Sequence, residues 1–552
     1  MNDRQEYFKN ILKYLAVFAL LLAFYTFTRP LNHSESYDSY TYALFAENYT
    51  LGTAPDSRNI LFHASNRFLY VAAQSLGLNI GTLDLLIGVN ILMGSLTLIL
   101  FARLMINRFG VAPISAWTGA AFLGLTYGYW RYTAAPEVYI PSMFLILCSL
   151  TLLLKYLDRQ TRNWPTLLAA GVVSGLAVLY YQPNVIALIV TIPILFLKPL
   201  RLVDFLVYAI TASLVLFSGI VWSFIVVNGS VPGVSELAGY ANSRYEEFSD
   251  PPTFAQATKK LVLAAGHDVM SAHWTRTVDV VRNALDPYIP GCVYNFNVII
   301  YAGKGLQYFT AIAAILFVPI LILFARIHWI ASREWKISWP SIRTAYLLCW
   351  FGLMTMIVAT VDPGSFEAWI PVLLPVAGLL TIFVFEPCRK LGKQKSLVVF
   401  LLLLMCYNFF GGLLILRNQS GNYFQHKTAW IRQELGAEDT VLFNEHDYRI
   451  LDYLIYHSDA RVVFLTGEDN VTIGRNTYDI YSMPVDDFLT QHRESGNPLY
   501  VLDDVLTPDP AIRNCRYGDK KLRTATRLAE RLKGKATLVN EGIFGSTWQV
   551  KP

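Results

Sequence analysis

Charged residues occupy only 15% of the 552 positions, while 54% are hydrophobic. That balance excludes both a solvated globule of this length and a disordered chain. Cysteine is equally sparse, and six cysteines in so long a chain do not make a disulfide scaffold. Cys148, Cys349 and Cys406 lie in apolar runs and Cys388 at the edge of one, which leaves Cys292 and Cys515 as the remaining pair. No Gly-x-Gly-x-x-Gly or Walker pattern occurs, so a nucleotide-cradling loop of either kind is excluded. Among His63, His267 and His273 no pair has the i, i+4 spacing of a helical metal motif, alone or with Glu137 or Asp268 nearby. Internal repeats and low-complexity tracts are absent as well.

What the chain does have is long apolar runs. A helix of about 18 or more apolar residues crosses ~30 Å of hydrocarbon, and such runs fall at 11–28, 83–105, 113–130, 138–156, 164–181, 203–227, 306–325, 343–361, 368–386 and 396–416, with a shorter one at 184–199. The first lacks a small-residue cleavage site, which argues against a signal peptide. Basic residues collect in alternate short connections: Arg4, Lys9 and Lys13; Arg103 and Arg108; Lys155, Arg159 and Arg162; Lys198 and Arg201; Arg326, Arg333, Lys336 and Arg343; Arg389, Lys390, Lys393 and Lys395. Eleven spans put all of them on one side, which the positive-inside rule makes cytoplasmic. The N-terminus is then cytoplasmic, and the loops 29–82, 129–137 and 228–305, the turn 362–367 and the tail after Arg417 face outward. Those inner positives account for the formal net charge of +5, so no nucleic-acid partner is implied.

The run 60–77 carries His63, Asn66, Arg67 and Gln74 among apolar residues, and counting it as a span would carry Arg103 and Arg108 to the wrong side. It reads instead as an amphipathic helix in the outer interface. Loop 228–305 predicts helices over 253–266 and 270–285. After Arg417 the pattern changes to short β-like runs at 440–443, 461–465 and 499–502, separated by helical stretches at 446–457, 485–493 and 520–533. That alternation predicts a soluble α/β domain at 417–552, behind a transmembrane domain at 1–416. The tail acids Asp503, Asp504 and Asp509 form no recognisable catalytic set. The expected fold class is thus an α-helical polytopic membrane protein of about eleven transmembrane helices with a C-terminal soluble α/β domain.

The polar residues that stand out lie in the outward segments. Asp38, in Ser36-Tyr37-Asp38-Ser39-Tyr40-Thr41-Tyr42, either caps a short half-buried helix or serves as a general base; a cap tolerates Asn or Ser and a base does not. Loop 129–137 reads Tyr129-Trp130-Arg131-Tyr132-Thr133-Ala134-Ala135-Pro136-Glu137, followed by Val138-Tyr139. On so short a tether Arg131 can fork onto a phosphate, and Glu137 suits the dipole at the start of the next span. An interfacial belt of Trp130, Tyr132 and Tyr139, with Arg131 paired to Glu137, is the plainer reading. The turn Tyr180-Tyr181-Gln182-Pro183-Asn184 brings hydroxyl and amide groups to membrane depth, where they either line a site or close a tight turn. Glu367 opens a span beside Trp369 and equally suits a substrate contact or a dipole partner.

An acid after the first span, an interfacial helix, the Trp130-Arg131-Tyr132…Glu137-Val138-Tyr139 loop and a later Asp362-Pro363-Gly364-Ser365-Phe366-Glu367-Ala368-Trp369 with Leu373-Leu374-Pro375 resemble the GT-C superfamily of polyprenyl-phosphate-sugar glycosyltransferases. Within it the chain is most similar to the bacterial relatives of protein O-mannosyltransferases and of the aminoarabinose transferase that modifies lipid A. The likeness covers roughly residues 10 to 416. It implies a GT-C fold in a bacterial inner membrane, a lipid-linked sugar donor, and an acceptor protein, lipid or glycan. It further implies that Asp38 is the base and that Arg131, backed by Arg58 and Arg67, meets the donor phosphate beside Tyr181 and Gln182. Glu137 would orient the acceptor or hold Arg131, and His63, Glu367 and Trp369 would line the substrate. Direct displacement would invert the anomeric centre.

Two departures from the family pattern matter. Ala135-Pro136-Glu137 keeps only the second of two loop acids, and the Asp-x-Asp of some first loops is absent, since Ser36 and Tyr40 stand two residues either side of Asp38. The expectation is therefore a reaction with no required cofactor, with a divalent metal as the disfavoured alternative. Two other readings are a transferase of whole lipid-linked oligosaccharides and a lipid or polymer transporter. The second calls for ionisable groups inside the spans, which are nearly free of them.

Overall fold

The computed structural model describes residues 2–33, 38–48, 59–158, 163–186, 188–190, 202–242, 265–271, 304–333, 341–361, 367–417, 423–444, 449–466, 470–474, 481–508, 518–532, 534–542 and 545–550. The chain forms two compact units. One comprises residues 1–29, 49–274 and 309–414; the other comprises 30–48, 275–308 and 415–552.

The first unit is helical: α1 (Asn2–Thr28), α3 (Ile60–Ser75), α4 (Thr82–Phe109), α5 (Pro113–Leu125), α6 (Tyr127–Thr133), α7 (Tyr139–Asp158), α8 (Trp164–Tyr180), α9 (Leu202–Asn228), α10 (Val234–Asn242), α11 (Lys304–Ser332), α12 (Ile342–Val361), α13 (Glu367–Lys390) and α14 (Gln394–Arg417), the last two running through π turns. The second unit contributes α2 (Asp38–Asn48). Among the described residues, eight of these helices are long and apolar enough to cross a membrane, and α8 is a shorter apolar helix. Their outer faces carry bare Leu20, Leu214, Ile315 and Ile322. Water would make such faces costly and lipid makes them free, so the chain is an integral membrane protein. α3 forms where the amphipathic pattern predicted a helix.

The run 113–130 is one span by composition and two helices in the structure. At Thr126 the backbone turns extended (φ −61°, ψ 143°), separating α5 from α6. The Thr126 hydroxyl donates to the Leu123 carbonyl at 2.7 Å, the carbonyl that a continuing helix would reserve for the amide of Tyr127. Hydropathy cannot register such a break, because both pieces are apolar. The second half of the run 184–199, helices predicted over 253–266 and 270–285, and Cys292 and Cys515 lie wholly or largely outside the described residues.

The two ends of this unit differ in chemistry. At one end, Asp158 at the close of α7 accepts from Arg108 at 2.8 Å and pairs with Arg343 at the start of α12. This brings together two of the basic connections that charge alone had assigned to one side. At the other end, Arg29 after α1 pairs with Asp84 in the first turn of α4 at 2.8 Å, and Trp130 donates its indole N–H to Thr28 Oγ1 at 2.8 Å.

In the second unit the tail folds around a seven-stranded sheet of order β4-β3-β2-β1-β5-β7-β6, built from β1 (Thr440–Phe443), β2 (Arg461–Thr466), β3 (Asn470–Gly474), β4 (Tyr481–Pro484), β5 (Leu499–Leu502), β6 (Ala536–Gly542) and β7 (Gly545–Val550). β1 pairs in parallel with β2 and β5, and the outer pairs are antiparallel. β1 is buried along its whole length, as its unbroken apolar sequence requires of a central parallel strand. Its helices are α15 (Tyr423–Lys427), α16 (Ala429–Glu434), α17 (Arg449–His457), α18 (Val485–Ser495), α19 (Asp503–Leu506) and α20 (Gly518–Leu532). Val463, Val501, Phe488, Ala525 and Leu528 close the core between sheet and helices.

Candidate active site in the helical unit

The residues 126–138 are buried without interruption. Arg131 and Glu137 are both fully buried, as are Trp130, Tyr129 and Tyr132. A cation and a carboxylate only six positions apart, both withheld from water, are sustained only by an environment built to hold charge. The Arg131 guanidinium lies over the Tyr132 ring, 5.6 Å from its centroid.

This geometry is imposed largely by α4. Asn90, fully buried in that helix, donates its side-chain amide to the Ala135 carbonyl and, at 2.9 Å, to the Glu137 carbonyl. Tyr129 donates its hydroxyl to the Gly94 carbonyl at 2.7 Å. A Cβ at Gly94 would fall 2.5 Å from Thr133 Cγ2, so only glycine lets the loop lie this close to the helix. Glu137 also donates its own amide to the Ala135 carbonyl at 2.9 Å, bending the chain across Pro136 into α7.

Glu367 comes to Glu137 from a distant part of the chain. A carboxylate oxygen of each lies within 4.8 Å of the other's. Glu367 accepts from the Tyr132 hydroxyl at 3.2 Å and from the Tyr139 hydroxyl at 3.1 Å. Two carboxylates so close repel unless donors or a cation compensate, and these tyrosines are donors placed for that task. The Tyr139 ring meets Tyr181 edge-on at 5.2 Å, which brings the 180–184 turn to the same group. Gln182 opens the short 3₁₀ turn Gln182–Asn184, half-buried beside Tyr181, and Asn184 secures that turn by donating to the Ala177 carbonyl at 2.9 Å. Trp369 is buried at the end of the 3₁₀ turn Glu367–Trp369 that opens α13.

The predicted residues divide accordingly. The structure gathers Arg131, Glu137, Tyr181 and Glu367 around one aromatic cluster. His63 and Arg67 lie on α3: His63 is buried beside Phe62, and Arg67 is half-buried with its guanidinium 5.9 Å from the Tyr70 centroid. Arg58 and the motif residues 362–366 lie outside the described residues. Asp38 is the first residue of α2, half-buried, and belongs to the second unit.

The plain interfacial-belt reading of Tyr132 and Tyr139 gives way to a specific one, since both hydroxyls are spent on Glu367. Glu367, some 230 residues away in the chain, supplies a second acid beside Glu137. With one oxygen each, Glu137 and Glu367 form a donor set suited to a hard divalent cation. Sequence reading also missed Asn90; a lone amide inside an apolar span was the available signal.

A second group of contacts supports the start of α6. Asp268 packs against Gly128, where a Cβ would sit 2.6 Å from Asp268 Oδ1, and the His267 ring meets Tyr127 edge-on at 4.8 Å. This 265–271 segment is fastened to α14: Asn408 donates to the Leu125 and Val269 carbonyls at 2.7 and 2.9 Å and accepts from the Ser271 amide at 3.0 Å. Tyr407 adds a hydroxyl bond to the Ser271 carbonyl at 2.7 Å.

No protein-family model matches the chain, and no curated protein matches it by sequence. Among solved structures it is similar to ArnT from Cupriavidus metallidurans bound to undecaprenyl phosphate, at 12% identity over 98% of this chain and 97% of that one, with a TM-score of 0.49. It is also similar to the Archaeoglobus fulgidus oligosaccharyltransferase tethered to an acceptor peptide, at 12% identity over 97% of this chain and 74% of that one, with a TM-score of 0.48. Likeness at this level assigns no family, and the functional reading rests on the chain's own residues.

Proposed function

We propose that the protein is a membrane glycosyltransferase that moves a sugar from a polyprenyl-phosphate carrier to an acceptor hydroxyl at the outer face of the membrane. The observation that carries this reading is the group formed by buried Arg131 and Glu137 and half-buried Glu367, the last bound by two tyrosine hydroxyls, at one end of an apolar helical unit. A donor whose tail dissolves in lipid presents its phosphate at that depth, and no nucleotide-binding loop is needed.

In the proposed reaction the acceptor oxygen attacks the anomeric carbon and its proton passes to the Asp38 carboxylate. The bond from the anomeric carbon to the phosphate oxygen breaks, and the electron pair leaves with the polyprenyl phosphate. Arg131 offsets the charge that develops on that phosphate, with Tyr181 and Gln182 beside it and Arg67 and Arg58 as further cations. Backside displacement inverts the anomeric centre. Glu137 and Glu367 orient the acceptor, with His63 and Trp369 shaping the same substrate region. Asp38 receives the base role from its place in the sequence. A divalent cation, if bound, would be held by Glu137 and Glu367 and would supply positive charge to the donor phosphate; the reading does not require it.

The test is transfer from a labelled lipid-linked sugar by the purified protein in detergent or vesicles. Asp38→Asn is expected to lower the rate by about a hundredfold or more with unchanged thermal unfolding. A well-folded Asp38→Asn protein at full rate removes the base assignment.

A further inference from the structure

We infer that the tail domain is the positioning platform for Asp38, gripping the helix that bears it through a cluster of aromatic rings centred on Tyr40. The inference rests on the assignment of Asp38 as the base and gives the tail a part in the reaction.

All the contacts lie within the second unit. The segment that leads into α2 is fastened first: the amides of Leu31 and Asn32 both donate to the Leu416 carbonyl, at 3.1 and 2.9 Å. α2 then buries Tyr40, Ala43 and Leu44, an i, i+3, i+4 stripe, and it packs on α17 of the tail. Tyr40 is 2% exposed. Its ring centroid lies 5.1 Å from Tyr453, 5.6 Å from His457 and 5.9 Å from Tyr456, and 6.2 Å from His33 on its own segment. The Tyr453 and His457 contacts are edge-on, the arrangement in which ring quadrupoles attract, each worth more than its buried area alone.

The platform is itself fixed. Tyr453 accepts from Arg432 of α16 at 2.8 Å and packs on Phe424 of α15 at 5.7 Å. α17 follows β1 and precedes β2 in the chain, and it buries Ile450, Leu454 and Ile455. Rigidity therefore runs from the sheet through α17 to Tyr40.

Helix geometry turns this grip into positioning. Residues two apart on an α-helix are about 200° apart around its axis. With Tyr40 seated on the tail, Asp38 is turned to the far side of the first turn and is left half-buried instead of sealed in the aromatic cluster. A base must be held within a fraction of an ångström of its proton path, and an eleven-residue helix has little rigidity of its own. The ring cluster supplies what the isolated helix lacks.

The experiment uses the full-length protein in vesicles with a labelled lipid-linked sugar. Tyr40→Ala is expected to lower kcat by at least about tenfold with KM for the donor unchanged within about twofold. Tyr40→Phe, which keeps the ring and loses only the hydroxyl, is expected to restore kcat. Tyr456→Leu, at the half-buried edge of the cluster, provides a second probe if Tyr40→Ala does not fold, with a loss of kcat expected there as well. In an Asp38→Asn background, Tyr40→Ala is expected to have no further effect on the residual rate, because it acts through Asp38.

Wild-type kcat in folded Tyr40→Ala, or in Tyr456→Leu if that is the variant that folds, overturns the inference and leaves the base assignment intact. A loss in Tyr40→Phe equal to that in Tyr40→Ala also overturns it, since ring packing is then not the cause. Full activity of Asp38→Asn instead defeats the base assignment, and with it any positioning of that base.

Discussion

At the scale of single residues, the features that matter are polar groups paired across long stretches of chain. Asn90 holds two carbonyls of the 129–137 segment. Asn90→Ala would leave both carbonyls in apolar surroundings at a cost of roughly 1–3 kcal/mol, read as a lower unfolding temperature in detergent. Asn90→Asp would place a carboxylate against two carbonyl oxygens and is expected to be worse than alanine by the same measurement. Arg131 is a case where residue type matters beyond charge. Arg131→Lys keeps the cation and loses the planar fork that matches a phosphate, so kcat with the lipid-linked donor is expected to fall about tenfold or more, an outcome that a purely interfacial anchor would not produce. Asp38 and Arg131 were both legible in the sequence as charges beside apolar runs. Glu367 was legible only as a charge, and its partnership with Tyr132 and Tyr139 was not, because nothing local to residue 132 or 139 records what lies 230 positions away.

At the scale of elements, close approach depends on small residues whose role is invisible until the neighbour is known. Gly128 admits Asp268 onto α6 one turn before Arg131, and a Cβ there would also fall 2.9 Å from Asp268 Cγ. Gly128→Ala is expected to displace α6 and lower kcat by about tenfold while the α/β tail retains its near-ultraviolet circular dichroism. The break at Thr126 is a second example: composition marks 113–130 as apolar and says nothing of where a threonine hydroxyl takes a carbonyl from the helix ladder. In the tail, the strands at 440–443, 461–465 and 499–502 were read correctly because continuous β-branched and apolar runs specify buried parallel strands. β3, β4, β6 and β7 were not, being more polar edge or antiparallel strands whose pairing is decided by the sheet.

α17 also carries a pH response. Burial, and then the Arg432 charge, push the His457 imidazole down to about 4 from its ordinary 6.5. The groups facing it are Tyr40, Tyr453, Tyr456 and Arg432, none of which offers a negative charge near neutral pH. The unfolded chain therefore binds a proton that folded His457 refuses between these values. The contribution of neutral His457 to stability is complete above about pH 6.5 and is lost progressively as pH falls towards 4. Thermal unfolding followed from pH 7.5 to 4.5 is expected to show a decline that His457→Phe reduces.

At the scale of the whole molecule, the question is whether the reaction draws on a metal. Glu137 and Glu367 sit close enough to share a cation, yet the proposed chemistry needs only Asp38, Arg131 and the tyrosine donors. Exhaustive chelation is expected to leave transfer within about twofold of the untreated rate. Loss of activity restored by added divalent ion would instead make Glu137 and Glu367 ligands, a shift checked by the ion's apparent affinity in Glu367→Gln.

By itself the sequence determined that this is a membrane protein of many spans with an α/β tail, and it singled out the charged positions beside the spans. Those properties follow from local hydropathy and from the cost of charge in hydrocarbon, which act on each segment independently. Only the tertiary structure decided that Glu367 meets the tyrosines flanking Glu137, that Asn90 and Gly94 shape their loop, and that α2 rests on the tail through Tyr40. Those are contacts between distant segments, set by which faces fit together, and no period or spacing in the chain encodes them.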